Sequence, residues 1–103
     1  MPTIKSAEKA RGALWRSFRS QQKKLDISLE AGETFANVSA IIETFDVIVE
    51  DCITANDQLV KTADPDSVII GEAKRWVDNL QVIAVVSRNH AMEYLKRKCN
   101  LAS

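Results

Sequence analysis

Apolar residues recur at alternating steps of three and four along this chain of 103 residues, and the pattern is broken only twice. Such spacing gives an α-helix one apolar face. The first break is 31–33, where Gly32 suits the position just after a helix end. The second is 62–65, where Asp64 can cap a helix that has Pro65 in its first turn. We therefore predict helices over about 4–30, 33–61 and 65–99.

Short breaks make consecutive helices antiparallel neighbours, so the expected fold is an all-α, up-down-up three-helix bundle. One domain over residues 1–103 is expected, because a chain of this length can bury one core. Three Gly and two Pro are too few for a β fold with many turns. The β-branched runs 47–53 and 82–86 are the alternative strands, but helical spacing continues on both sides of each.

The third predicted helix carries more apolar residues than one core face needs. Val85 lies about 180° from Trp76, which is expected in the core, at 100° per residue. A helix that is apolar all round is usually buried all round, yet a three-helix bundle has no fourth element to cover it. We expect a binding surface for a protein partner or a second copy, which would give a homodimer through this helix. Uneven packing or scattered surface valines are the alternatives. The four residues are Val82, Val85, Val86 and Met92.

Charge is sorted along the chain although it sums to zero. Residues 1–24 carry a net charge of +6, residues 25–66 carry −9 and residues 67–103 carry +3. The chain as a whole has a near-neutral isoelectric point of about 6.6, so general binding to polyanions is not expected. Only the N-terminal segment, residues 1–24, carries enough positive charge to bind a polyanion.

The basic segment forms a stripe on the first predicted helix, directly opposite Leu14 and Phe18, and should face solvent. Such a stripe can contact the phosphates of nucleic acid, an anionic membrane or an acidic partner. It can equally be a solvated face that only keeps the protein soluble. The stripe consists of Lys5, Lys9, Arg16, Arg19 and Lys23.

An acidic stripe borders the apolar face of the second predicted helix. It is interpreted as an exposed or salt-bridging face, or as a docking surface for a basic partner. The set contains no His and no EF-hand loop, so no metal site is expected. In a simple bundle the basic stripe points away from this helix, so the two stripes should not neutralise each other within one molecule. The acidic residues are Glu43, Asp46, Glu50 and Asp57.

No group of residues is typical of an active site. His90 is the only histidine, so a catalytic triad is not expected, and the three glycines stand too far apart for a phosphate loop. Cys52 should lie in the core and Cys99 should be a partly exposed thiol, too far from it for a disulfide. We expect no enzyme activity, no cofactor and no small-molecule substrate.

The N-terminal residues lack the apolar region of a signal peptide, and no apolar run reaches the length of a transmembrane helix. An intracellular, cytoplasmic location is expected. The sequence favours a non-enzymatic helical protein-protein interaction module, an adaptor or assembly subunit whose third helix supplies affinity while charge steers docking. The alternative is an anion-binding helical protein that uses the basic stripe on nucleic acid or anionic membrane.

Overall fold

The structure, a computed structural model, describes the backbone of residues 3–102 and the side chains of residues 3–99. In this part the chain forms three helices and no strand, which confirms the all-α prediction and excludes the two alternative strands. Their packing is consistent with a bundle, and the molecule measures 55 × 19 × 17 Å. Residues 1, 2 and 103 of the predicted domain lie outside the described residues. The helices are α1 (Ile4–Glu30), α2 (Phe35–Thr62) and α3 (Val68–Ala102).

Local hydrogen bonds fix both ends of α1. The Ser6 N–H donates to the Thr3 hydroxyl at 3.1 Å and the Thr3 N–H donates to the Ser6 hydroxyl at 2.9 Å, so two free donors are satisfied reciprocally. At the other end Gly32 has φ of 70°, the left-handed conformation that glycine adopts without strain. The Glu33 N–H then donates to the Ser28 carbonyl at 3.1 Å, which ends the helix as a Schellman motif.

Two helices begin later than the sequence predicts. For α2, Thr34 is the N-cap and accepts from the Asn37 N–H at 3.2 Å, so Glu33 lies before the helix. For α3, the residues around Pro65 form a turn instead, closed by the Ser67 N–H donating to the Asp64 carbonyl at 2.9 Å. Pro65 in the first helical turn was therefore the wrong expectation. The helix begins only at Val68.

The core contains two apolar clusters along the bundle. Both clusters draw on all three helices. The first contains the buried residues Phe18, Phe45, Cys52, Leu80 and Ala84, and the second contains Leu25, Val38, Ile42, Ala91 and Leu95. Aromatic rings connect the helices within the first cluster, with Trp15 packing 5.6 Å from Trp76 and Phe18 packing 5.4 Å from Phe45 between ring centroids.

Hydrogen bonds between helices fix which parts lie side by side. Between α1 and α2, the Gln21 side chain donates to the Ile41 carbonyl at 3.3 Å. Between α1 and α3, the Gln22 side chain donates to the Ser87 hydroxyl at 3.2 Å. The Tyr94 hydroxyl on α3 donates to the Glu33 carbonyl at 2.6 Å, which ties α3 to the α1–α2 connection.

None of the described helices contains an apolar stretch long enough to cross a membrane. The intracellular location expected from the sequence stays a prediction.

Candidate interaction surfaces

The four apolar residues predicted to bind a partner are all exposed on α3. The opposite side of the same helix is buried, at Leu80, Ala84 and Ala91. No described element covers the outer side, so α3 presents an apolar surface to solvent. We call it the outer α3 face, and its exposed fractions are 63% for Val82, 55% for Val85, 63% for Val86 and 43% for Met92.

Two of these residues border open grooves between α2 and α3. Val85 lines a groove of about 360 Å³ together with Val49 and Ile53 of α2. Met92 lines a larger groove of about 720 Å³ whose α2 wall is the half-exposed Phe35. The other two valines lie about 60° and 100° further round the helix from Val85, away from α2. The apolar surface therefore extends from the α2–α3 boundary over the outside of α3.

The acidic residues divide into one that is paired and three that are exposed. Asp46 accepts from the Arg88 Nε of α3 at 3.2 Å, and both side chains are nearly half exposed. Asp46 thus forms a salt bridge between α2 and α3. Because the pair is largely exposed, its contribution to stability is small. The other three residues are exposed on α2 without a salt bridge among the described residues, and they are Glu43, Glu50 and Asp57.

The basic stripe faces solvent. Among the described residues, none of its five members forms a salt bridge within the chain. The Arg19 guanidinium lies 5.9 Å from the centroid of the Trp15 ring, a weak cation–π contact at the exposed edge of the aromatic cluster. The exposed members are Lys5, Lys9, Arg16, Arg19 and Lys23.

A buried polar layer was missed by the sequence analysis. Arg11 is only 8% exposed and its guanidinium donates to the Asn56 side-chain oxygen at 2.9 Å and to the Glu72 carboxylate at 2.6 Å. The Asn56 amide, 3% exposed, donates in turn to the Ala73 carbonyl at 3.1 Å. We call Arg11, Asn56 and Glu72 the Arg11 layer. It joins all three helices and leaves no described buried side-chain donor or acceptor unpaired.

The signal for this layer was present in the sequence. Arg11 lies seven residues before Phe18 and four before Trp15, so it falls on the apolar face of α1 and not on the basic stripe. Asn56 is the one polar residue that interrupts the apolar stripe of α2. An arginine and an asparagine on facing apolar stripes indicate a buried pair. The Arg11 guanidinium also lies 4.9 Å from the Trp76 ring centroid.

The two thiols differ in exposure and acidity. Cys52 is fully buried, and burial raises the pKa of its thiol from 9.0 to about 11, with the negative charge of Asp51 adding to the rise. It is thus a core side chain, protonated and unreactive at neutral pH. Cys99 is an exposed free thiol, and the single histidine, His90, is also exposed.

Among the described residues, no group of three or more His, Cys, Asp or Glu side chains is placed to hold a metal ion. The described residues instead offer three exposed surfaces: the outer α3 face, part of the acidic stripe and the basic stripe. No family model matches the chain, and comparison with curated proteins and with solved structures finds no match either.

Proposed function

We propose that this protein is a non-enzymatic interaction module, an adaptor or assembly subunit that binds a protein through the outer α3 face. The observation that supports this proposal most directly is the exposure of four apolar residues on one helix surface, each between 43% and 63%. Exposed apolar surface of this kind is typical of sites where proteins bind one another. The α2–α3 grooves beside it give a partner side chain a recess to fill.

We also infer an up-down-up order of the helices, which the hydrogen bonds between them support. Arg11 bonds to Asn56 and Gln21 bonds to Ile41, so residue numbers rise along α1 while they fall along the adjacent α2. In this order α3 has α1 and α2 on one side only. Its outer face is then left to a partner.

The energetic scale of this surface is that of a modest, reversible interface. The four residues are already half buried on average, so covering the rest of each contributes about 1–1.5 kcal/mol. Association itself costs on the order of 4–15 kcal/mol in lost translation and rotation. Apolar burial from one side therefore needs matching surface on the partner, and charge complementarity at the edges would raise the rate of association.

A substitution of one exposed valine tests the proposal. Val85→Glu places a charge in the middle of the outer α3 face, and Val47→Glu is a matched control because Val47 on α2 is 56% exposed against 55% for Val85. We expect Val85→Glu to lose self-association measured by light scattering, or the specific partners retained by the immobilised full chain, while Val47→Glu keeps them. If both variants bind like wild type in both assays, the proposed surface is wrong.

The second candidate function is anion binding by the basic stripe. It is favoured by the five exposed cations of α1 that have no salt-bridge partner among the described residues. Salt separates the two functions, because binding to phosphates through about five cations should weaken steeply between about 50 and 200 mM salt. Binding through the outer α3 face, which is mainly apolar, should weaken much less over that range. Titrating the protein into labelled duplex DNA and into anionic vesicles at both salt concentrations measures the difference.

A further inference from the structure

The outer side of α3 carries a second helical repeat that the three-helix core does not use. Six residues follow one another in steps of four, three, four, three and four, and all six are exposed. At 100° per residue they fall within an arc of about 80°, which is the narrow stripe of a two-helix coiled-coil contact. We call this stripe the seam: Asp78, Val82, Val85, Asn89, Met92 and Lys96.

The seam has the composition of a contact between two helices. Its three central apolar members are flanked by an acid at Asp78 and a base at Lys96, with the exposed Lys74 one helical turn before Asp78. Its one central polar member is Asn89, which lies beside Met92 on the wall of the larger α2–α3 groove.

We propose that the seam binds a second copy of this chain, with the two α3 helices antiparallel about a two-fold axis. This assignment rests on the proposed function, since it names the partner of the same face. In a two-fold contact each residue pair occurs twice. With the axis beside Ser87, Val82 lies opposite Met92 of the second copy and Val85 lies opposite its Asn89. Asp78 then lies opposite Lys96 of the second copy at each end.

Charge decides in favour of the antiparallel copy. In a parallel pair Asp78 would face Asp78 and Lys96 would face Lys96, so both ends would repel. In the antiparallel pair each Asp78 faces a Lys96, and the exposed Lys74 lies one turn beyond each of these pairs. Arg88 flanks the seam near the axis and by the same symmetry faces Arg88 of the second copy, a repulsion that Asp46 of its own chain, at 3.2 Å, partly offsets. Val86, which is 63% exposed, lies beside the seam near the axis, where it meets Val86 of the second copy.

Charge reversal at the two ends tests this arrangement in the full-length protein. Asp78→Lys and Lys96→Glu each turn two attractive pairs into two repulsive ones, so each should weaken the dimer about tenfold. The double variant Asp78→Lys/Lys96→Glu restores two attractive pairs and should return the dissociation constant to within about threefold of wild type. Analytical ultracentrifugation from about 1 µM to 1 mM covers the expected range of dissociation constants.

Arg97→Glu is the matched control, because it makes the same charge change one residue from Lys96 but lies about 100° round the helix, outside the seam. It should leave the dimer unchanged. Lack of rescue in the double variant, or a wild-type chain that stays monomeric at about 1 mM, would overturn the antiparallel copy. Partners that still depend on Val85 in a monomeric wild-type chain would leave the proposed function standing. If the wild-type chain neither self-associates nor binds a partner, both the antiparallel copy and the proposed function are wrong.

Discussion

The Arg11 layer makes a sharp prediction about stability. Asn56 is 3% exposed, and its side chain accepts from the Arg11 guanidinium at 2.9 Å while donating to the Ala73 carbonyl at 3.1 Å. Asn56→Ala deletes both bonds and leaves one guanidinium donor, in a residue only 8% exposed, without an acceptor. The substitution therefore breaks the Arg11 layer, which is the one polar network among the described residues that joins all three helices.

The magnitude follows from the two bonds. A hydrogen bond to a charged group contributes about 1.5–3 kcal/mol and a neutral one about 0.5–1.5 kcal/mol. Arg11 keeps its contact with Glu72, but that carboxylate is 46% exposed and its contribution is screened by solvent. We therefore expect Asn56→Ala to lower the free energy of unfolding by about 2–4 kcal/mol, a large part of the 5–15 kcal/mol typical of a domain.

A double-mutant cycle separates the layer from simple loss of packing. Arg11→Met alone leaves the Asn56 oxygen buried and unpaired, and should also cost about 2–4 kcal/mol. Arg11→Met/Asn56→Ala removes both partners of the charged hydrogen bond, so neither of them is left buried and unpaired. The double variant should thus be more stable than the sum of the two single changes implies, by about 2–3 kcal/mol.

Urea unfolding measures all three variants, followed by far-ultraviolet circular dichroism and by tryptophan fluorescence. Fluorescence is informative because Arg11 lies over Trp76, which packs on Trp15. Asn79→Ala, at an exposed asparagine of α3, is the control and should stay within about 0.5 kcal/mol of wild type. A loss below about 1 kcal/mol for Asn56→Ala, or an additive cycle, refutes the claim that the layer stabilises the bundle.

Two further predictions concern single residues. Because the pKa of the Cys52 thiol rises from 9.0 to about 11 on folding, its contribution to stability is complete below pH 9 and is lost as pH rises through about 11. The stability difference between wild type and Cys52→Ala, measured by urea unfolding, should shrink over that interval, and a constant difference would contradict the raised pKa. Gly32→Ala should cost about 1 kcal/mol in thermal unfolding, because φ is 70° there, although no atom lies within 4 Å of the added Cβ. Gly12→Ala, inside α1 with only the flexible end of Arg16 nearby at 3.8 Å, should instead stabilise by about 0.5–1 kcal/mol, and equal effects at both glycines would refute the role of backbone conformation.

The helices were predictable because each is encoded locally and repeatedly. Many residues in each of α1, α2 and α3 follow the same helical spacing, so one residue that departs from it does not change the helix prediction. The start of α3 was not predictable in this way, because Asp64 and Pro65 suit a helix start and a turn equally well. In the structure Ser67 marks the helix start, because its hydroxyl accepts from the Ile69 N–H at 3.2 Å, a single local bond that the periodicity does not encode.

The exposure of the surface residues is encoded within one helix, whereas the burial of the Arg11 layer depends on contacts between helices. An exposed residue such as Val82 is identified by its angle from the core of its own helix, which the sequence contains. Burial of Arg11 depends on Asn56 and Glu72, which are 45 and 61 residues away and supply oxygens that compensate its charge. A rule that assigns every arginine to solvent fails at such a place, because the energetic decision is made between helices.

Because the residues of the outer α3 face are exposed, substitutions there can test binding without unfolding the protein. Val82, Val85 and Val86 are more than half exposed, so their replacement by Glu removes little packing. Glu is also a better helix former than Val, and a surface substitution usually changes stability by less than about 0.5 kcal/mol. The residues that hold the bundle together on the same helix, Leu80 and Ala84, point the other way. Loss of association in Val85→Glu without a change in unfolding therefore assigns the contact to the outer α3 face, through the lost apolar contact and the charge that a partner would have to bury.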